Sequence, residues 1–249
     1  MTRTLLTLPM RRRRLMGVVL AAVVLLPAAC ATRRGADGRE ETRFDPKYLV
    51  KSDIDRVIDV SRELVVAGLT RIADKLYRRN PREWRKANLQ SRDAALARLA
   101  RYRGEAPADL AGRQEGAAAL QAFNPDYAHD RVAALMYGLL TMIDAAYEHR
   151  DEFFLLDSLD AQKFYNCARN MEIAVWKLAA ARDATGEPLL YSNEMGDDNR
   201  NLSFEREFGG VIAHLDFVSR ILADRNGRAV TRVTHSLATA LFLPVGMLK

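Results

Sequence analysis

Apolar residues are distributed along this chain in three ways. Residues 15–26 form an unbroken uncharged run, Leu-Met-Gly-Val-Val-Leu-Ala-Ala-Val-Val-Leu-Leu. Residues 31–46 are polar and show no apolar repeat. From Ser52 onward apolar positions recur every three to four residues, the spacing that gives a helix one buried stripe. The first such stripe is Ile54, Val57, Ile58, Val65, Leu69, Ile72 and Leu76, with Ser52 and Asp55 placed to cap it. Asn80-Pro81 predicts its end and the next start, with Asn80 as cap, Pro81 in the first turn and Glu83 completing a capping box. That second helix carries Trp84, Ala95, Leu99 and Tyr102, restarts near Ser91 and ends about Gly104.

A short helix is expected over Glu115 to Phe123. Asn124-Pro125 then repeats the start device before Val132, Leu135, Met136, Leu139, Met142, Ile143, Ala146 and Tyr147, read as a strongly amphipathic helix. Further helices are predicted at Leu159–Arg182, Ser203–Asp224 and Arg228–Leu243, the last two joined by Arg225-Asn226-Gly227 as an antiparallel hairpin. Leu189-Leu190-Tyr191 has strand character, and nothing nearby reads as its partner. The expected fold is an all-α bundle of about six main helices, in a domain covering 52–249.

The segment before this domain reads as an address. Arg3 and Arg11 to Arg14 precede the apolar run without an acidic residue, and small residues follow it up to Cys30. Twelve apolar residues fall short of the roughly 20 that a spanning helix needs. Residues 1–29 are therefore expected to be an export signal. Residues 30–51 are expected to be a flexible tether, of which residues 31–46 span roughly 20–25 Å as a coil.

Leu26-Pro27-Ala28-Ala29-Cys30 resembles the lipobox of bacterial lipoproteins. The resemblance implies cleavage before Cys30 and lipidation there. Ala31, where that family uses Asp for inner-membrane retention, implies the outer membrane. Pro27 stands where the family usually carries Leu, and Ala29-Cys30-Ala31 also fits ordinary signal cleavage, which leaves a soluble periplasmic protein as the alternative. Met10 offers a second start, and Arg12-Arg13-Arg14-Leu15-Met16 resembles a twin-arginine signal. The strings LDAQKFYNCARNMEIAVWK, from Leu159 to Lys177, and NLSFER, from Asn201 to Arg206, resemble a group of uncharacterised proteobacterial lipoproteins over most of residues 44–245. That resemblance implies the same address and no activity.

Charge changes the picture once the leader is set aside. The whole chain has 38 Lys+Arg against 32 Asp+Glu. Five of the arginines and none of the acids lie before Cys30, so residues 30–249 are almost neutral. A nucleic-acid partner is not expected. The expected partners are a membrane, through the N-terminal lipid, and another envelope protein. Cys30 and Cys167 are the two cysteines, so lipidation of Cys30 leaves Cys167 without a disulfide.

Chemistry-bearing motifs are sparse. Asp197, Asn199 and Asn201 fit the opening of a calcium loop, but Leu202 stands where its Gly belongs and Phe208 where its Glu belongs. His129, His149, His214 and His235 are scattered outside metal-ligand spacing, and His149 with Glu152 suits a surface pair at a helix end. Cys167 beside an apolar stripe reads as a buried thiol, and Gly209-Gly210 as a site of close helix approach. Asn166 and Asn170, one turn apart, together with Asp144, His214 and Asp216 are the candidates for a polar pocket. An enzyme would require two of Asp144, Glu172, His214 and Asp216 to meet as an acid–base pair. The C-terminal apolar run, Leu237 to Leu248, is expected to be the buried end of the last helix, with an exposed docking patch as the alternative. No catalytic residue, metal or cofactor is implied. The expected role is a non-enzymatic binding or assembly module of the cell envelope; the alternatives are a small-molecule or lipid-binding bundle and an enzyme of unrecognised type.

Overall fold

A computed structural model describes residues 30–34, 40–43, 52–104, 106–154, 159–195, 200–227, 230–231 and 241–248. Contacts divide the chain into two units, Met1–Ser52 and Asp53–Lys249. In the first, strand β1 (Cys30–Arg34) pairs antiparallel with β2 (Glu40–Arg43), with Cys30 opposite Arg43 and Arg34 opposite Glu40. Residues 1–29, the expected export signal, lie outside the described residues. Among the described residues no helix is long and apolar enough to cross a membrane.

The second unit is all-α. Its described helices are α1 (Asp53–Arg79), α2 (Pro81–Lys86), α3 (Arg92–Ala100), α4 (Glu115–Gln121), α5 (Arg131–Ala146), α6 (Ala161–Ala180) and α7 (Ser203–Asn226). Among its described residues, strand structure is limited to the two-residue pair β3 (Glu194–Met195) and β4 (Arg200–Asn201) and one bridge, Arg182 to Pro188. Of the expected helix at Arg228–Leu243, residues 228–229 and 232–240 lie outside the described residues; Val230, Thr231 and Leu241–Leu243 are not helical.

Helix α1 follows its stripe. Ile58, Val65, Leu69, Ile72 and Leu76 are buried, and Asp53 and Asp55 in the first turn and Arg78 and Arg79 in the last match the helix dipole. Val57 departs from the stripe and is exposed. Helix α5 was expected to be amphipathic and is instead buried on every side, Arg131 to Ala146 inclusive. A helix apolar all round belongs at the centre of a bundle, and α4, α6 and α1 pack around it.

Asn80-Pro81 ends one helix and starts the next as expected, with Asn80 at the cap position and Pro81 in the first turn, but its side chains act elsewhere. Asn80 makes no cap bond. Its side chain donates to Leu76 O and Tyr191 O and accepts from Tyr191 N at 2.8 Å, so it gives the 189–191 segment the partner that no strand supplies. Glu83 accepts from Arg131 N at 2.8 Å and from Lys86, and thereby joins α2 to α5 instead of closing a capping box. Asn124 opens a turn through Asp126 N. Helix α5 begins six residues after Pro125, because Asp130 provides the cap to Ala133 N (2.9 Å) while the Arg131 guanidinium is held by the carbonyls of Ala122, Asn124 and Pro125. An acceptor able to reach the exposed amides decides where a helix starts, and Asp130 is the better placed one.

The glycines that admit close helix approach are Gly68 and Gly138, not Gly209 and Gly210. A Cβ on Gly68 would lie 2.7 Å from Val211 Cγ2 of α7, and one on Gly138 would lie 2.5 Å from the Glu115 carbonyl of α4. Gly209 and Gly210 face open space. Gly227, at φ 59°, ends α7 in the left-handed conformation that favours glycine.

Candidate functional site

The C-terminal end of α5 borders a cleft of about 660 Å³, within the usual range for ligand pockets. Its lining combines Tyr102, Arg103 and Gln114 from the loops around α3 and α4, Glu115, Thr141 and Asp144 from α4 and α5, and His149 with Gly246 and Met247.

Asp144 is the hub. It is buried within α5, and Arg103 Nε donates to its Oδ1 at 2.6 Å while Tyr102 OH donates to the same oxygen at 3.3 Å. Arg62 lies 3.9 Å away. Both arginines also pair with Asp151, Arg62 at 2.7 Å and Arg103 at 2.7 and 2.8 Å, which closes a network of two guanidinium and two carboxylate groups. Burial alone pushes the Asp144 carboxyl up; the hydrogen bonds from Arg103 and His149, with their charges, outweigh it and hold the group below its ordinary range.

His149 is placed by the way α5 ends. Its backbone N–H returns to Asp144 O at 2.8 Å, and both Glu148 and His149 take left-handed conformations, φ 51° and 59°. This tight reversal puts His149 Nδ1 2.6 Å from Asp144 Oδ2. The carboxylate carries no proton, so Nδ1 must donate. Nε2 is then left on a ring that is 71% exposed. Glu148 is held on its other side by Lys163 at 2.6 Å.

The pairing supplies orientation and charge, and neither Thr141 nor Cys167 is free to serve it as a nucleophile. Thr141, whose aliphatic hydroxyl lines the cleft, donates to the Tyr137 and Gly138 carbonyls and accepts from Glu115 N at 2.9 Å. Cys167 is fully buried on α6, its Sγ 3.7 Å from Met142 O, and burial pushes its thiol well up, away from the reactive thiolate. Among the described residues no three His, Cys, Asp or Glu side chains are grouped to hold a metal.

The five residues expected to form a polar pocket do not share one. Asp144 lines the cleft. Asn166 and Asn170 bind the backbone of the C-terminal segment at Leu243 and Pro244, and that segment continues into the cleft wall at Gly246 and Met247. His214 is half-buried on α7. Asp216, also on α7, pairs with Arg169 at 2.7 Å, and Arg169 contacts Glu172 at 3.2 Å. The last two carboxylates are thus tied through a guanidinium.

Asp197 and Asn199 of the calcium-like loop lie outside the described residues, and Asn201 spends its oxygen on Ser203 N at the start of α7. His235 also lies outside the described residues, while His129 packs its ring edgewise on Tyr127. Arg103 and Gln114 stand in or beside loops where no periodicity marks them, while Tyr102 and Glu115 read from the sequence only as a helix stripe position and a helix start. His149 carried a signal, five residues after Asp144 at a helix end, that was read as a surface pair with Glu152. No family model, curated protein or solved structure matches the chain.

Proposed function

We propose that this chain is a lipid-anchored, periplasm-facing envelope protein whose helical domain is a non-enzymatic binding module, with the cleft beside Asp144 as its recognition surface. The anchor is the acylated Cys30 and the membrane is the outer one, on the sequence grounds of the lipobox-like segment and Ala31; release after Ala31 as a soluble periplasmic protein is the competing address. The observation that carries the binding reading is the state of Asp144: a buried carboxylate compensated by Arg103 and His149 at the wall of an open cleft. Such a group presents a fixed, preorganised polar surface to a ligand. A carboxyl serving as general acid or base would instead be tuned toward neutrality.

The partner is another component of the envelope. The size of the cleft favours a second reading, that the domain receives a small molecule. Photocrosslinking in intact cells tests the proposal. With a photoreactive residue at exposed Gln114, on the cleft, discrete adducts are expected. The same residue at exposed Ala184, in the loop after α6, should give none. Equal adduct patterns at the two positions, or none at Gln114, would contradict the assignment of the cleft.

A further inference from the structure

The C-terminal residues Leu241–Leu248 contain no helix, and side chains from α4 and α6 grip their backbone. The Asn170 carboxamide accepts from Leu243 N at 2.6 Å and donates to Leu243 O at 2.9 Å. One turn earlier on α6, Asn166 donates to Pro244 O at 2.8 Å. From α4, Glu115 Oε2 accepts from Gly246 N at 3.0 Å. Asn170 is completely buried. Three side chains thus hold four main-chain groups of Leu243, Pro244 and Gly246, main-chain hydrogen bonding being the means by which extended peptides are recognised.

Shape adds selectivity. Phe242 packs so closely on Gly116 that a Cβ there would lie 2.5 Å from Phe242 Cβ. Val245 is fully buried, and a Cβ on Gly246 would collide with the Glu115 carboxylate. On either side, Leu241 and Met247 hold apolar side chains in solvent, 69% and 84% exposed. Gly246 and Met247 are at the same time part of the cleft wall.

We infer that Leu241–Met247 is a cis-acting strap: a peptide ligand carried on the chain itself, which walls the cleft while docked and opens it on leaving. The groups that hold it are amide and carboxylate side chains, whose bonds water takes over on release. Val245 is the one side chain of the strap that is fully buried, where it joins the hydrophobic core, while α4 and α6 each pack directly on α5. Local opening of such a segment lies well below global unfolding. The inference rests on the reading of the domain as a binding module and adds regulated access to it; it does not depend on the anchor at Cys30.

Two measurements on the full chain test it. In native-state amide exchange, Leu243 and Gly246 are expected to exchange about a hundredfold faster or more than amides in the middle of α5, through local opening. In the second, a fluorescent peptide of sequence Leu-Phe-Leu-Pro-Val-Gly-Met is titrated into the wild type and into Gly246→Val, whose β-carbon displaces the Glu115 carboxylate that accepts from Gly246 N and so loosens the chain's own strap. Because a tethered ligand outcompetes a free one through its effective concentration, the peptide should bind Gly246→Val about tenfold more tightly or better, and adding Asn170→Ala should abolish that binding. Equal affinity for both chains, including no binding to either, overturns the inference. So does exchange at Leu243 and Gly246 as slow as in α5, a result that needs no variant to fold. Crosslinking at Gln114 reports on the cleft separately, so loss of the strap and loss of the binding reading are distinguishable.

Discussion

Replacing Asp130 with Asn removes one ionisable group from the interior while keeping its geometry. Asp130 is 4% exposed, caps α5 through Ala133 N at 2.9 Å and accepts from Tyr77 OH of α1 at 3.0 Å. Burial, with a smaller contribution from the Glu83 charge, raises its carboxyl from 3.8 to about 6, against the lowering effect of those two hydrogen bonds. The folded domain therefore holds this proton more tightly than the unfolded chain does. The resulting stabilisation is complete below 3.8 and is lost as pH rises through about 6. At about 1.4 kcal/mol per pH unit, the interval amounts to about 3 kcal/mol.

Asn caps helices as well as Asp does, and its amide can donate to the Tyr77 oxygen. Asp130→Asn should therefore match the wild type within about 1 kcal/mol at pH 4.5 and exceed it by about 1–3 kcal/mol at pH 7.5. Urea unfolding followed by circular dichroism at the two pH values reads this directly. Asp144, whose carboxyl is held low, is common to both proteins and cancels in the difference. The competing expectation is that a charged cap favours the helix N-terminus. If the wild type gains on the variant as pH rises, or the difference does not change with pH, the burial account of Asp130 is wrong.

The glycines give predictions of opposite sign. Gly138→Ala drives a methyl against the α4 backbone and should cost about 1–3 kcal/mol in urea unfolding. Gly209→Ala, with open space around it in mid-helix, should add about 0.5–1 kcal/mol in the same assay. Asp144→Asn leaves the part-buried Arg62 and Arg103 short of a counter-charge and should destabilise by about 3 kcal/mol. Its lost tie to His149 should appear as a changed imidazole environment in proton NMR.

Helix periodicity was the most legible property of the sequence. The stripes placed α1, α6 and α7 to within about two residues of their ends, with α6 starting two residues later than expected, after the Asp160 cap, and α7 running on to Gly227. The central position of α5 was legible in its composition, apolar on every face apart from Arg131, Thr141 and Asp144, and was missed because its apolar positions were read for one stripe alone. Asn80 marked a true helix boundary without making the cap bond, and Asn124 marked a turn instead of a helix start. An Asn can serve its own helix or a distant backbone, and only the fold brings Tyr191 to Asn80. Of the candidate site, Asp144 stood out as a charge within an apolar run, and the Asn166–Asn170 pair as two amides on one face. Their partners Arg103 and Leu243 arrive from a loop and the chain's end, where no period exists to mark them.

In the proposed function the address and the binding role meet at Cys30, because a module of the envelope must first be held there. Metabolic labelling with a palmitate analogue, comparing the wild type with Cys30→Ala, tests this most directly. The proposal predicts label on the wild type in the membrane fraction and none on Cys30→Ala. An unlabelled wild-type protein, or label that persists without Cys30, would contradict it.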